Sequence, residues 1–199
     1  MSSVVISGNT SGTITLDAPA VAGTTTLTLP ATSGTIVTTT SGAITSAQLP
    51  AGSVIQVNSV AKANTFSTSS TSFTDITGLS VTITPTSSSN QILILVGVTG
   101  IGTDVAGAGQ TGYVLLRGST VITAGDGGAS QFTGQLSNRN LGGTAHTLNH
   151  AISYVDTPAT TSATTYKIQG RAAAGTLYIN RDPDDNRSIS TITVMEIKG

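Results

Sequence analysis

Along the first fifty residues hydroxyl and aliphatic side chains alternate with a period of two, in Thr13-Ile-Thr-Leu and again in Thr24-Thr-Thr-Leu-Thr-Leu. That period sorts side chains onto the two faces of an extended chain, so the spacing predicts strands and not helices. Short strands are expected at Val4–Ile6, Thr13–Leu16, Thr24–Leu29 and Thr35–Thr39, with turns at Pro19 to Gly23 and Pro30 to Gly34. Gly42, Pro50 and Gly52 then crowd around Leu49, a density of breakers that marks a junction. We therefore read residues 1–52 as an extended β-rich arm and residues 53–199 as a globular head.

In the head the pattern predicts strands near Ser53–Ala61, Phe66–Phe73, Leu79–Thr84, Gln91–Gly100, Tyr113–Arg117, Ser119–Thr123, Leu148–Val155, Tyr166–Gly170, Thr176–Asn180 and Ser188–Ile197. About ten short strands separated by turn signals suit a β-sandwich or jelly roll. Gln91-Ile-Leu-Ile-Leu-Val-Gly-Val is apolar at odd and even positions alike. It is expected to be a central strand, covered on one side by the opposite sheet and on the other by a neighbouring subunit. Ile92, Ile94, Val96, Leu148, Ile152 and Tyr154 are the expected core and trimer-packing positions. The Gly-rich stretches Gly100–Gly112 and Gly125–Gly143 are expected to be loops at an end of the domain.

Composition agrees with an all-β chain. Ser, Thr and 23 Gly dominate, while charged residues make up only 9%. Eight basic and nine acidic residues give a net charge of -1, with no basic cluster of the kind that nucleic acid or anionic lipid requires. Before Lys62 the only ionisable side chain is Asp17. The absence of Cys excludes disulfides, thiol catalysis and Cys-ligated zinc. Met1-Ser-Ser-Val-Val-Ile-Ser-Gly lacks the basic and apolar regions of a signal peptide, and Ile92–Ile101 is far shorter than the ~20 residues of a membrane helix, so neither export by a visible signal nor membrane insertion is expected. Unpaired strand edges on so weakly charged a chain invite pairing, which favours an obligate oligomer.

The segment from Thr13 to Ile36, Thr-Ile-Thr-Leu-Asp-Ala-Pro-Ala-Val-Ala-Gly-Thr-Thr-Thr-Leu-Thr-Leu-Pro-Ala-Thr-Ser-Gly-Thr-Ile, resembles the linkers of tail-fibre and other minor structural proteins of marine and freshwater bacteriophages, cyanophages included. The remainder, with Phe73-Thr-Asp-Ile-Thr-Gly-Leu-Ser-Val-Thr-Ile-Thr-Pro, is similar to the compact β heads that follow such linkers and resemble trimeric jelly rolls of the tumour-necrosis-factor and C1q type. The resemblance implies a homotrimer in a virion assembled in the host cytoplasm. It implies attachment to other virion proteins through the arm, by positions such as Thr13, Ile14, Leu16, Pro19, Leu27, Leu29 and Pro30, and an outward head that meets a host-surface glycan or protein. A short host-recognition fibre is the first expectation, and a protein that decorates and stabilises the phage head is the alternative.

Candidate chemistry is sparse. His146 and His150 fall on one face of a predicted strand with Leu148, Ile152 and Tyr154, and rings of such histidines around a threefold axis could hold a transition metal. Polar residues at a strand entrance are the plainer reading. Asp182, Asp184 and Asp185 lie in one turn with the oxygen density of a calcium loop, yet Arg181 and Arg187 offset their charge, and Asx side chains serve equally in an ordinary hairpin turn. No cofactor is expected. Glu196 is the only Glu, the Asp residues are scattered, and neither a nucleophile elbow nor a phosphate-cradling loop is present, so catalysis is not expected. The four Tyr are expected in the sandwich or at a subunit interface, each hydroxyl reaching a partner or solvent.

Overall fold

A computed structural model describes residues 3–7, 13–17, 44–103, 110–123, 136–139, 148–181 and 185–199. The chain divides into two compact units, Met1–Ala43 and Ile44–Gly199. In the first unit β1 (Ser3–Ser7) and β2 (Thr13–Asp17) form an antiparallel hairpin with Ser3 opposite Asp17. These strands fall where the alternation put them. The expected strands at Thr24–Leu29 and Thr35–Thr39, with Pro19 and Pro30 between elements, lie outside the described residues.

The second unit contains β3 (Val54–Lys62), β4 (Phe66–Thr68), β5 (Thr74–Ile83), β6 (Gln91–Thr103), β7 (Gln110–Arg117), β8 (Thr120–Val121), β9 (Leu136–Arg139), β10 (Leu148–Asp156), β11 (Thr164–Ala172), β12 (Leu177–Ile179) and β13 (Ser190–Ile197). All pairings are antiparallel. One sheet runs β3-β13-β6-β10, and β12 takes over the edge of β6 where β13 ends, carrying β4 beyond it. The other runs β5-β11-β7, with β8 and β9 on the far edge of β7.

Alternation explains why the sheets face each other. Along β11 every second residue is buried, Tyr166, Ile168 and Ala172 among them, and on β13 the buried set includes Ile192 and Val194. Both sets join Ile92, Ile94, Val96 and Val98 of β6, Leu79, Val81 and Ile83 of β5, and Ile152 of β10 in one apolar core. Each such side chain contributes about 1.5–3 kcal/mol on burial. Gly170 has no side chain because Leu177 fills its place, with Cδ2 2.8 Å from where a Cβ would stand.

Several elements differ from their expected extents. The strand expected over Phe66–Phe73 is only β4. Its successor β5 starts at Thr74 and is interrupted by a bulge at Gly78, whose φ of +83° suits glycine, so pairing with β11 slips between Ser80 and Asp75. Strand β6 continues to Thr103 and β7 begins at Gln110, which shortens the expected loop over Gly100–Gly112. Strand β9 falls within the stretch expected to be loop over Gly125–Gly143 and pairs with β7.

The sheet registers define two ends of the sandwich. Val54, Gln91, Asp156 and Ile197 lie at one, here called the root; Thr103, Leu148 and Leu177 lie at the other, the tip. Residues 44–52 sit at the root. Gly52 N–H donates to the Lys198 carbonyl, and Lys198 Nζ donates to the carbonyls of Ala47 (2.9 Å) and Leu49. The compact unit that holds the sandwich thus begins at Ile44, whereas the breaker cluster drew the junction after Gly52.

Candidate functional site

The two outer faces of the sandwich differ in chemistry. On β5 and β11 the outward side chains include Asp75, Lys167, Gln169 and Arg171, with Asp75 and Lys167 paired at 2.9 Å. The Lys167 and Gln169 donors hold the Asp75 carboxyl below its ordinary range. The outward positions of β3, β13, β6 and β10 alternate with core residues, and they carry no charge. They are Val57, Ser59 and Ala61; Thr191, Thr193 and Met195; Leu93, Leu95 and Gly97; and Ala151, Ser153 and Val155. Leu95 is 38% exposed, Val155 51% and Val57 52%, although each sits in a regular strand where a polar residue would cost nothing. A shallow depression of about 460 Å³ opens between Leu95, Gly97, Ala151, Ser153, Thr191 and Thr193. It exists because glycine, alanine and serine meet there on adjacent strands.

The lateral edges are also unequal. At the β3 edge Gln56 Nε2 donates to the Thr84 carbonyl (2.7 Å) and Asn58 Nδ2 to that of Thr82 (2.8 Å), which ties β3 to β5 of the opposite sheet. Strand β10 pairs with β6 alone among the described residues. Its outward residues from Asn149 to Val155 include neither charge nor proline, the usual protections of an exposed edge.

The expected packing residues divide accordingly. Ile92, Ile94, Val96 and Ile152 are buried in the core of the chain itself, and Tyr154 packs against it. The backbone of Leu148 pairs with Ile101 at the tip. The uncharged face belongs instead to their odd-numbered neighbours, a distinction that the doubly apolar run Gln91–Val98 contains but does not assign.

The root is a polar clamp. Fully buried Glu196 accepts at Oε1 from Thr86 N–H (2.6 Å), Thr86 Oγ1 (2.9 Å) and Asn90 Nδ2 (2.5 Å), and at Oε2 from Gln56 Nε2 (2.5 Å). Burial alone would raise its carboxyl, but the donations of Asn90, Gln56 and Thr86 outweigh it and hold the group below the usual range. Asp156 accepts from Arg117 (2.9 Å) and from the Tyr166 hydroxyl (2.7 Å), joining β10 to β7 and β11. Burial raises the Tyr166 phenol, and its bond to Asp156 adds to the shift. Both carboxylates are occupied by donors of the chain itself.

At the tip, Arg181 and Arg187 face each other across a bridge and both bind Asp185, at 3.2 and 2.8 Å, so its two oxygens are taken by guanidinium groups. The pairing is that of a hairpin. Asp182 and Asp184 lie outside the described residues, as does His146. His150 points inward with Ile152, between the sheets, its ring centroid 6.0 Å from that of Tyr113. Tyr113 is wholly buried, and its hydroxyl is set against that of Thr111 on the same strand. Among the described residues no group of three or more His, Asp or Glu could hold a metal, and no helix is long and apolar enough to cross a membrane.

Comparison with known proteins yields no match, either to a protein family or to a curated protein.

Proposed function

We propose that the chain is a structural protein of a bacteriophage virion: a short homotrimeric fibre, held to other virion proteins by its N-terminal arm, with a jelly-roll head that recognises the host surface. It acts by binding and assembly, not by catalysis.

The uncharged face around Leu95 and Gly97 carries this reading. Its apolar residues at regular strand positions, beside an unprotected β10 edge, are what a sandwich needs when a second copy packs on that sheet. The jelly-roll reading is supported by the strand order. Counting β3, β5, β6, β7, β9, β10, β11 and β13 as eight strands, the first and last are neighbours in one sheet and the set divides four and four, as in a double Greek key. The outward presentation of the head is supported by polarity along the sandwich: the unit begins at the root, while the strand ends joined by the Gly-rich stretches lie at the tip. The virion assignment rests on the resemblance of Thr13–Ile36 to fibre linkers.

Gold-labelled antibody against the head, imaged on intact phage particles, tests the proposal. Label at the tail supports the fibre, label over the capsid replaces it with the decorating protein, and particles without label overturn the virion assignment.

A further inference from the structure

Three buried polar atoms meet at the tip: the hydroxyls of Thr111 and Tyr113, set against each other on one strand, and His150 Nε2, which has no partner among the described residues. Thr111 and Tyr113 stand on the inner face of β7, and His150 stands on the inner face of β10, so the cluster spans the gap between the sheets. Buried hydrogen-bonding atoms without partners are uncommon and costly, and a site tolerates them only while they are uncharged.

We propose that this cluster is an acid-sensitive latch: with His150 neutral the sheets stay closed at the tip, and a proton on His150 opens them there. The argument is electrostatic. Imidazolium has two N–H donors, and the Nε2 donor would be enclosed among hydroxyls and apolar side chains, with no counter-charge among the described residues around it. Among the described residues, the strands around it offer no acid facing His150. Strand β6 contains none. On β7, Tyr113 is neutral, with burial pushing its phenol further up, and Arg117 is at the root. On β10, Tyr154 is neutral and Asp156, bound to Arg117, is six residues away, roughly 20 Å along a strand. On β11, Tyr166 is engaged by Asp156, while Lys167 and Arg171 are on the outer face. The nearest cation in the same layer is Lys62, three strands across the sheet or about 14 Å away, which adds repulsion. On β9, Arg139 pairs with Gln110, the neighbour of inward-facing Thr111, and brings a further positive charge and no acid. Desolvation already lowers the affinity of His150 for a proton.

The sign follows from that lowering. An unfolded or opened His150 binds protons near pH 6.5, the closed one only at lower pH, so closure is favoured above pH 6.5 and loses ground as pH falls below it. Between the two values the opening equilibrium rises by up to about tenfold per pH unit. The carboxylates Glu196 and Asp75 weaken the fold only at lower pH, so the window from 6.5 to 5 belongs to histidine.

Hydrogen exchange of the full chain between pH 7.5 and 5, corrected for intrinsic rates, tests the latch at the amides of 111–114 and 150–152. Wild type should open more at acid pH at these amides and not at root amides such as those of 92–94. His150→Gln should abolish the response and His146→Gln should keep it. The same acid response in His150→Gln, or none in wild type, overturns the proposal. Should His150→Gln fail to fold, NMR titration of the wild-type imidazole decides: a midpoint below 6.5 is expected, and a midpoint at or above it overturns the latch.

Discussion

Replacing Glu196 by Gln should destabilise the head by about 3 kcal/mol although the two side chains have nearly the same shape. Oε1 keeps its three donors, Thr86 N–H, Thr86 Oγ1 and Asn90 Nδ2, but loses the charge that strengthens them. The position of Oε2 becomes an amide N–H that faces Gln56 Nε2. Gln56 cannot resolve this by turning its amide over, because the same nitrogen donates to the Thr84 carbonyl and a flip would set oxygen against oxygen. One charged hydrogen bond is worth about 1.5–3 kcal/mol, and a buried donor left without an acceptor costs about 1–3 kcal/mol. The change also alters the pH response. Glu196 has a lowered proton affinity in the fold, so its contribution is complete above about pH 4.3, the unfolded value, and is lost as pH falls through the folded one. Urea unfolding at pH 7 and pH 3.5 measures both effects: wild type should lose stability between the two, and E196Q should lose less. A cost below about 0.5 kcal/mol at pH 7, with unchanged pH dependence, would refute the reasoning.

Gly100→Ala should cost more than about 2 kcal/mol in the same assay, since φ is +58° and a Cβ would stand 2.5 Å from Ser188 Oγ and 2.7 Å from the Arg181 nitrogen. Removing residues 1–43 should leave a folded head, whereas removing residues 1–50 takes away the Ala47 and Leu49 carbonyls that hold Lys198 and should lower the melting temperature by several degrees, as calorimetry would show. Leu95→Asp should leave secondary structure and monomer stability nearly unchanged while lowering self-association at least tenfold by sedimentation, because it sets a charge on the face that copies would bury.

How much of this was legible in the sequence depends on whether the signal was local. The Thr-apolar alternation placed β1 and β2, and the uninterrupted run from Gln91 placed a central strand, since both follow from side-chain parity. The bulge at Gly78 escaped because glycine in a strand pattern is compatible with either a turn or a slip. The strand β9 hid in a Gly-rich stretch because its short Leu136–Arg139 segment is defined by pairing with β7 rather than by its own composition. Glu196 looked like an isolated acid in the final strand. Its donors at Gln56, Thr86 and Asn90 are more than a hundred positions away along the chain, and only the fold brings them together. Strand parity puts His150 on one face with Ile152, but that the face is internal follows from which side of β10 meets the second sheet, and the bulge between Leu148 and His150 has no signal of its own in the sequence. The odd positions of β6 show the same limit: a doubly apolar strand announces two covered faces, and the sequence cannot say which residues serve which.

The central claim is that the uncharged face of the β3-β13-β6-β10 sheet is covered by another copy of the chain. Native mass measurement of the full chain at micromolar concentration tests it most directly. The account predicts a particle of three 19.8 kDa chains that shifts toward single chains in Leu95→Asp. A wild-type protein that remains a 19.8 kDa monomer under these conditions would contradict it.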